Sequence, residues 1–234
     1  MKLEKYLGLL PFYLLTAILV IGIASAGSRA VTASVQNSPV DREHRIVIDA
    51  GHGGVDGGAT SCTGVLESQI NLEIALRLRD VMQLLGYDTV MIRTTDISVY
   101  TKGETIAAKK VSDLKERVRI ANTTEGAILV SIHQNIFSDS RYGGAQVFYP
   151  PTEGSRELAE KLQNMLVKHL NPGSNRRAKK GEGIYLLEHI SCPGVLIECG
   201  FLSNPEEEFR LRSKDYQVKL CAVLVSAVSQ YINA

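Results

Sequence analysis

Four residues of this sequence have the types and placement for metal-assisted hydrolysis: His52, Glu67, His133 and Glu198. His52 lies in Asp49-Ala50-Gly51-His52-Gly53-Gly54, three residues past an apolar run that ends at Asp49. His133 directly follows the apolar run Ala127 to Ile132, and Glu198 closes the run Gly194 to Ile197. Glu67 opens a helix-periodic segment just beyond the Gly-rich loop. Two histidines and one carboxylate are a sound ligand set for a catalytic zinc, which keeps a fourth position for water. A second carboxylate then serves as general base and acid. Gly51, Gly53 and Gly54 allow backbone torsions closed to other residues and leave room for substrate. The spacings match no short zinc signature, so the chemistry depends on a fold that gathers distant positions.

The apolar patterning predicts such a fold. Arg45 to Asp49, Asp88 to Ile92, Ala127 to Ile132, Ala145 to Tyr149, Ile184 to Leu187 and Gly194 to Glu198 read as short strands. Ile70, Ile74, Leu78, Val81 and Leu85 recur at helical spacing from Glu67, and Gly86 stops that helix. Ile97 to Val111 reads as an irregular loop, and Asp113 to Glu116 as a capping box that opens a helix to about Ala121. Leu158, Leu162 and Met165 mark a helix to Leu170, with His169 continuing its packed stripe. Ser203-Asn204-Pro205 starts another helix, and about Asp215 to Ile232 forms the last. Strands apolar on both faces alternate with helices, which predicts an α/β protein: a three-layer αβα sandwich with a mixed, mostly parallel sheet. Ligands of such sheets bind at the carboxyl ends of strands, where the four candidate residues fall.

The remaining composition narrows the class. Lys+Arg is 26 and Asp+Glu is 25, so no charge imbalance points to a nucleic-acid partner. Lys2 and Lys5 precede an uncharged apolar run to about Gly27, which is long enough to span a bilayer. Ala24-Ser25-Ala26 resembles a signal-peptidase site, so residues 1–27 are a signal peptide or a membrane anchor, and either exports the rest. A polar linker at 28–43 and a catalytic domain at 44–234 follow. No residue pattern identifies an activating protein partner. Cys62, Cys192, Cys199 and Cys221 lack a disulfide-framework spacing and are expected to be mostly small buried residues. Cys199 adjoins Glu198, but strand alternation points it to the opposite face. Cys62, in the loop near the candidate metal ligands, could serve as a stray ligand but is not expected to. Arg93, Arg117 and Asn135 read as supporting residues, and Arg176, Arg177, Lys179 and Lys180 as a solvated loop.

Taken in order, the motifs carry a resemblance. Asp49-Ala50-Gly51-His52-Gly53-Gly54, Asp56 to Ala59, Glu67 at a helix start, Ser131-Ile132-His133-Gln134-Asn135 and Val195 to Asn204 together resemble the zinc N-acetylmuramoyl-L-alanine amidases of the amidase_3 type. The resemblance runs from about Arg45 to the C-terminus. It implies that His52, Glu67 and His133 bind zinc and that Glu198 is the catalytic acid/base. It implies cleavage of the amide between the lactyl group of muramic acid and L-alanine in peptidoglycan. Ala50 stands where the family often has Pro, and Gln134 where it often has Ala. The single domain, the N-terminal segment and the short stretch between His133 and Gly143 resemble the germination-specific branch that trims spore cortex. A zinc peptidase of the same stem peptide and a non-catalytic wall-binding scaffold are the competing readings.

Overall fold

The computed structural model describes residues 43–234, so the expected N-terminal signal or anchor lies outside the described residues. Six strands form one sheet: β1 Arg45–Ala50, β2 Asp88–Met91, β3 Ala127–Asn135, β4 Gln146–Tyr149, β5 Lys179–Lys180 and β6 Gly194–Phe201. Their order is β2-β1-β3-β6-β4-β5, with every pairing parallel except β4 against β6. The helices are α1 Glu67–Leu84, α2 Ile106–Thr123, α3 Ser155–His169, α4 Tyr185–His189, α5 Pro205–Leu211 and α6 Lys214–Ile232. The mixed, mostly parallel sheet and the α/β class agree with the patterning of the sequence.

Strand alternation divides the core. On one sheet face Val47, Leu129 and Leu196 pack with Ala121 of α2 and with Leu186 and Leu187 of α4. On the other face, α1 packs against β1 and β3, α3 against β4 and β6, and α6 against α1 and α3. Ile70, Ile74 and Leu78 of α1 and Leu158, Leu162 and Leu166 of α3 are buried there, as their helical spacing requires.

Four sequence expectations are corrected. The helix expected from Asp113 begins seven residues earlier, because Thr105 caps it by accepting from the Ala108 N–H at 3.1 Å. Asp113 is then inside α2, where its carboxylate accepts from the Val99 N–H and from Arg117. The expected strand Ile184 to Leu187 is instead helix α4, which lays Leu186 and Leu187 across the sheet face. A short apolar run has no periodicity with which to distinguish the two forms. His169 is exposed at the end of α3 rather than packed. Lys179 and Lys180, expected in a loop, pair with β4 as the edge strand β5.

The start of α5 follows its sequence signal. Asn204 Oδ1 accepts from the Glu206 and Glu207 N–H groups, and Pro205 fills the first turn. Asn204→Ala is expected to cost about 0.5–2 kcal/mol, read as a shift in urea midpoint with unchanged slope.

Candidate metal centre

The parallel register builds the site. His133 of β3 lies directly opposite Glu198 of β6, so both side chains leave the same sheet face. Asp49 and Ser131 occupy the preceding row of that face, and Ser131 donates to Asp49 at 2.6 Å. His52 arrives from the loop after β1. Glu67 arrives at the start of α1, whose first free N–H groups bond to loop carbonyls: Glu67 N–H to Ala59 and Ser68 N–H to Gly57. Loop and helix are thereby one unit, and a separation of many residues closes to a few ångströms.

Atoms of His52, Glu67 and His133 lie within 4.8 Å of one another, and these three residues could hold a metal ion. His52 Nε2 is 3.3 Å from Glu67 Oε2, and His133 Nδ1 is 3.1 Å from Glu67 Oε1. The other His52 nitrogen, Nδ1, faces Asp56 at 3.0 Å, and Lys110 meets the same carboxylate oxygen at 3.3 Å. A carboxylate on the outer nitrogen of a metal-binding histidine fixes its tautomer and ring orientation. Two glycines make this closeness possible. A Cβ on Gly51 would lie 2.2 Å from the His133 ring, and one on Gly58 would lie 2.6 Å from Glu67 Oε2 and 2.8 Å from His52 Cδ2.

The loop that carries His52 is held from beneath by two buried arginines. Arg93 donates to the carbonyls of Ala50, Gly51, Ser68 and Thr95. Arg117 donates to Asp49, to Asp113 and to the carbonyls of Ala50 and His52. His52 itself adopts φ 60°, a left-handed conformation uncommon outside glycine. The 2.7 Å bond from Arg117 to its carbonyl holds it there. The sequence marks both arginines only as supporting residues; their targets are backbone carbonyls, which leave no trace in side-chain spacing.

The two carboxyl groups at the site have opposite electrostatics. Burial alone would raise Glu67, but the bonds from His133 and His52 outweigh it and hold the carboxyl well below the usual range. Burial pushes Glu198 up to about 7; Glu67 adds to the rise and the two histidines oppose it. Glu198 Oε2 is buried and has no hydrogen-bond partner. The two carboxyls are therefore pushed apart, one held ionised beside the histidines and the other able to exchange a proton near neutrality, a separation of the kind acid/base sites show. Burial lowers His52, while Glu67 and Asp56 together raise it above its ordinary value.

A cavity of about 230 Å³ opens from His52 and His133 toward α2 and α4, bounded by Lys110, Tyr185 and Leu114. A larger groove, about 460 Å³, runs along Ala107, Ala108 and Val111 on α2 but has no ligand set. The chemistry points to the smaller one. Cys199 is buried and its thiol is pushed well up by burial, so it is no nucleophile. Cys62 is exposed and outside the histidine–glutamate cluster. Cys199 and Cys221 are buried as expected, whereas Cys192 is half-buried and Cys62 exposed; all four are free thiols.

An α/β sheet with His133 and Glu198 on adjacent strands, His52 on the loop after β1 and Glu67 at a helix start defines a hydrolase of the metal-site class. The N-acetylmuramoyl-L-alanine amidase model, Amidase_3, matches residues 46–230, and the chain belongs to that family. The germination-specific N-acetylmuramoyl-L-alanine amidase of Bacillus subtilis is 37% identical over 190 residues, which cover 80% of this chain and 79% of that one. The CwlD amidase of Clostridioides difficile, solved in complex with the GerS lipoprotein, is 37% identical with a TM-score of 0.78, covering 81% and 98% of the two chains. A second N-acetylmuramoyl-L-alanine amidase structure, from Clostridium difficile 630, is 31% identical with a TM-score of 0.72, covering 83% and 99%.

Proposed function

We propose that this chain hydrolyses the amide between the lactyl group of N-acetylmuramic acid and L-alanine in peptidoglycan, with a zinc ion held by His52, Glu67 and His133. The observation that carries this reading is the gathering of His52, Glu67 and His133 within 4.8 Å of one another, with the buried, unpartnered Glu198 oxygen on the sheet face that His133 leaves. The donor set of two imidazoles and one carboxylate suits zinc. When bound, zinc supplies Lewis-acid polarisation of the amide carbonyl and makes water a stronger acid. Glu198 accepts the proton of the attacking water at its free oxygen and delivers it to the departing alanine nitrogen. Asp56 and Arg117 keep His52 in place while this happens.

The likeness to a germination-specific amidase supports a role in spore-cortex peptidoglycan for this chain. In that role residues 1–27 act as signal peptide or membrane anchor, residues 28–43 as linker, and residues 44–234 as the catalytic domain in an exported compartment. The complex of the C. difficile amidase with a lipoprotein adds an accessory protein of that kind to the proposal.

Mass analysis of digested peptidoglycan tests the reaction. Stem peptides beginning at L-alanine are expected, with activity lost on chelation and restored by zinc. Cleavage only between amino acids would mark a stem peptidase instead. Bound zinc with no cleavage would mark a wall-binding scaffold.

A further inference from the structure

Glu67 is held by more than the two imidazoles. Its Oε2 accepts from the Ala59 N–H at 3.0 Å, and its Oε1 accepts from the Gln134 N–H and from Asn71 Nδ2, each at 3.1 Å. A carboxylate has about four lone-pair positions, so these three donors set its orientation before any cation arrives. Asn71 lies one helical turn after Glu67 on α1 and is fully buried. Its amide also donates to the Gly51 carbonyl at 3.2 Å, beside His52, so one side chain ties the loop to the carboxylate.

The orientation of the Asn71 amide follows from its partners. The Glu67 carboxylate and the Gly51 carbonyl only accept, so Nδ2 must face them and Oδ1 must face away. Oδ1 accepts from Gln134 Nε2 at 3.1 Å. Gln134 is buried beside the Cys199 thiol, and its own Oε1 makes no hydrogen bond. An apolar side chain of the same length would avoid that unmet acceptor but would strip Asn71 Oδ1 of its donor, so the bond to Asn71 is what the Gln134 amide supplies here.

We propose that Asn71 and Gln134 form a positioning relay, in which Gln134 orients the Asn71 amide and Asn71 holds Glu67 and the Gly51 carbonyl in the geometry that binds the metal. The inference rests on the metal-site reading of His52, Glu67 and His133. Without the Gln134 donor, Asn71 Oδ1 is a buried acceptor with no partner, and rotating the amide to satisfy it removes the donor from Glu67.

The test uses the full chain, stripped of metal and titrated with zinc against a chromogenic chelator. Gln134→Met keeps length and volume but removes the donor; Asn71→Leu removes the tie to Glu67 itself. Both are expected to bind zinc about 10–100-fold more weakly than wild type. The metal-free melting temperature of Gln134→Met is expected to stay at or above the wild-type value, since the variant loses one unmet acceptor as it creates another. A purely structural role predicts the reverse, a lower metal-free melting temperature with unchanged zinc affinity. Zinc affinity of both variants within about threefold of wild type overturns the relay. The relay also fails if the weaker binding of Gln134→Met is accounted for by a smaller folded fraction. Wild-type protein that takes up no zinc overturns the underlying metal-site reading instead, so the two failures are distinguishable.

Discussion

Glu198→Gln is expected to lower turnover by about 10²–10⁴-fold while the protein stays folded and keeps its metal affinity. The amide matches the carboxyl in shape but carries no proton between water and leaving nitrogen. A turnover near that of wild type would remove Glu198 from the chemistry. The same substitution has a second, opposite effect on stability in the metal-free protein. The folded pKa of Glu198, about 7, lies above its ordinary value of 4.5. A group raised in this way favours the native state below its unfolded pKa. That contribution is lost as pH climbs from about 4.5 to about 7, and above 7 the ionised, partly unpartnered carboxylate opposes folding. Metal-free Glu198→Gln should therefore match wild type near pH 4 and exceed it at pH 8, by an amount on the order of 3 kcal/mol. Paired thermal melts at the two pH values read the difference. Equal stability differences at both would mean that the burial of Glu198 is not opposing its charge.

Arg117→Leu is expected to destabilise the protein by about 3–5 kcal/mol at pH 7, because it leaves a fully buried carboxylate without its partner. Asp49 is 0% exposed and Arg117 2% exposed, so water replaces neither. Burial alone would raise Asp49; Arg117 is the leading influence against it, followed by His133 and Ser131, and together they hold the carboxyl low. The sign follows from that depression. The contribution of Asp49 to stability is present above its unfolded pKa and is lost as pH falls. In the variant Asp49 can become neutral at little cost, so the deficit should shrink between pH 7 and pH 4. Adding Asp49→Asn should recover much of the loss at pH 7, which a urea-unfolding cycle over the four proteins measures. A deficit of the same size at both pH values, with no recovery in the double variant, would show that lost packing of Arg117 dominates. The His52 carbonyl also loses its donor in Arg117→Leu, so zinc affinity should fall with stability.

Much of this molecule is legible in its sequence because the signals are local. The stripe of Ile70, Ile74 and Leu78 sets the buried face of α1, and Asn204-Pro205 sets the start of α5. The apolar runs that end at Asp49, Ile132 and Ile197 place His52 just past β1 and put His133 and Glu198 within β3 and β6, which run on to Asn135 and Phe201; Glu67 begins α1. Elements without a local signature are less legible. Residues 184–187 are too few to show a period, and the start of α2 depends on Thr105, a weaker cap signal than the acidic pair downstream. Asn71 stands one turn from Glu67, a spacing that could have singled it out as a partner. Gln134 could not have been found that way, since its contact with Asn71 joins residues 63 apart.

The sequence by itself determined the candidate groups, their placement after apolar runs and at a helix start, and the class of chemistry two histidines with two carboxyls can perform. The tertiary structure decided the charge state of each carboxyl. Glu67 is turned toward both imidazoles and held ionised, whereas Glu198, facing the same cluster from β6, is desolvated and held near neutrality. The residue type is the same in both cases. Charge state depends on burial and on neighbours within a few ångströms, and those are set by the pairing of β3 with β6 and the docking of α1 on the Gly-rich loop.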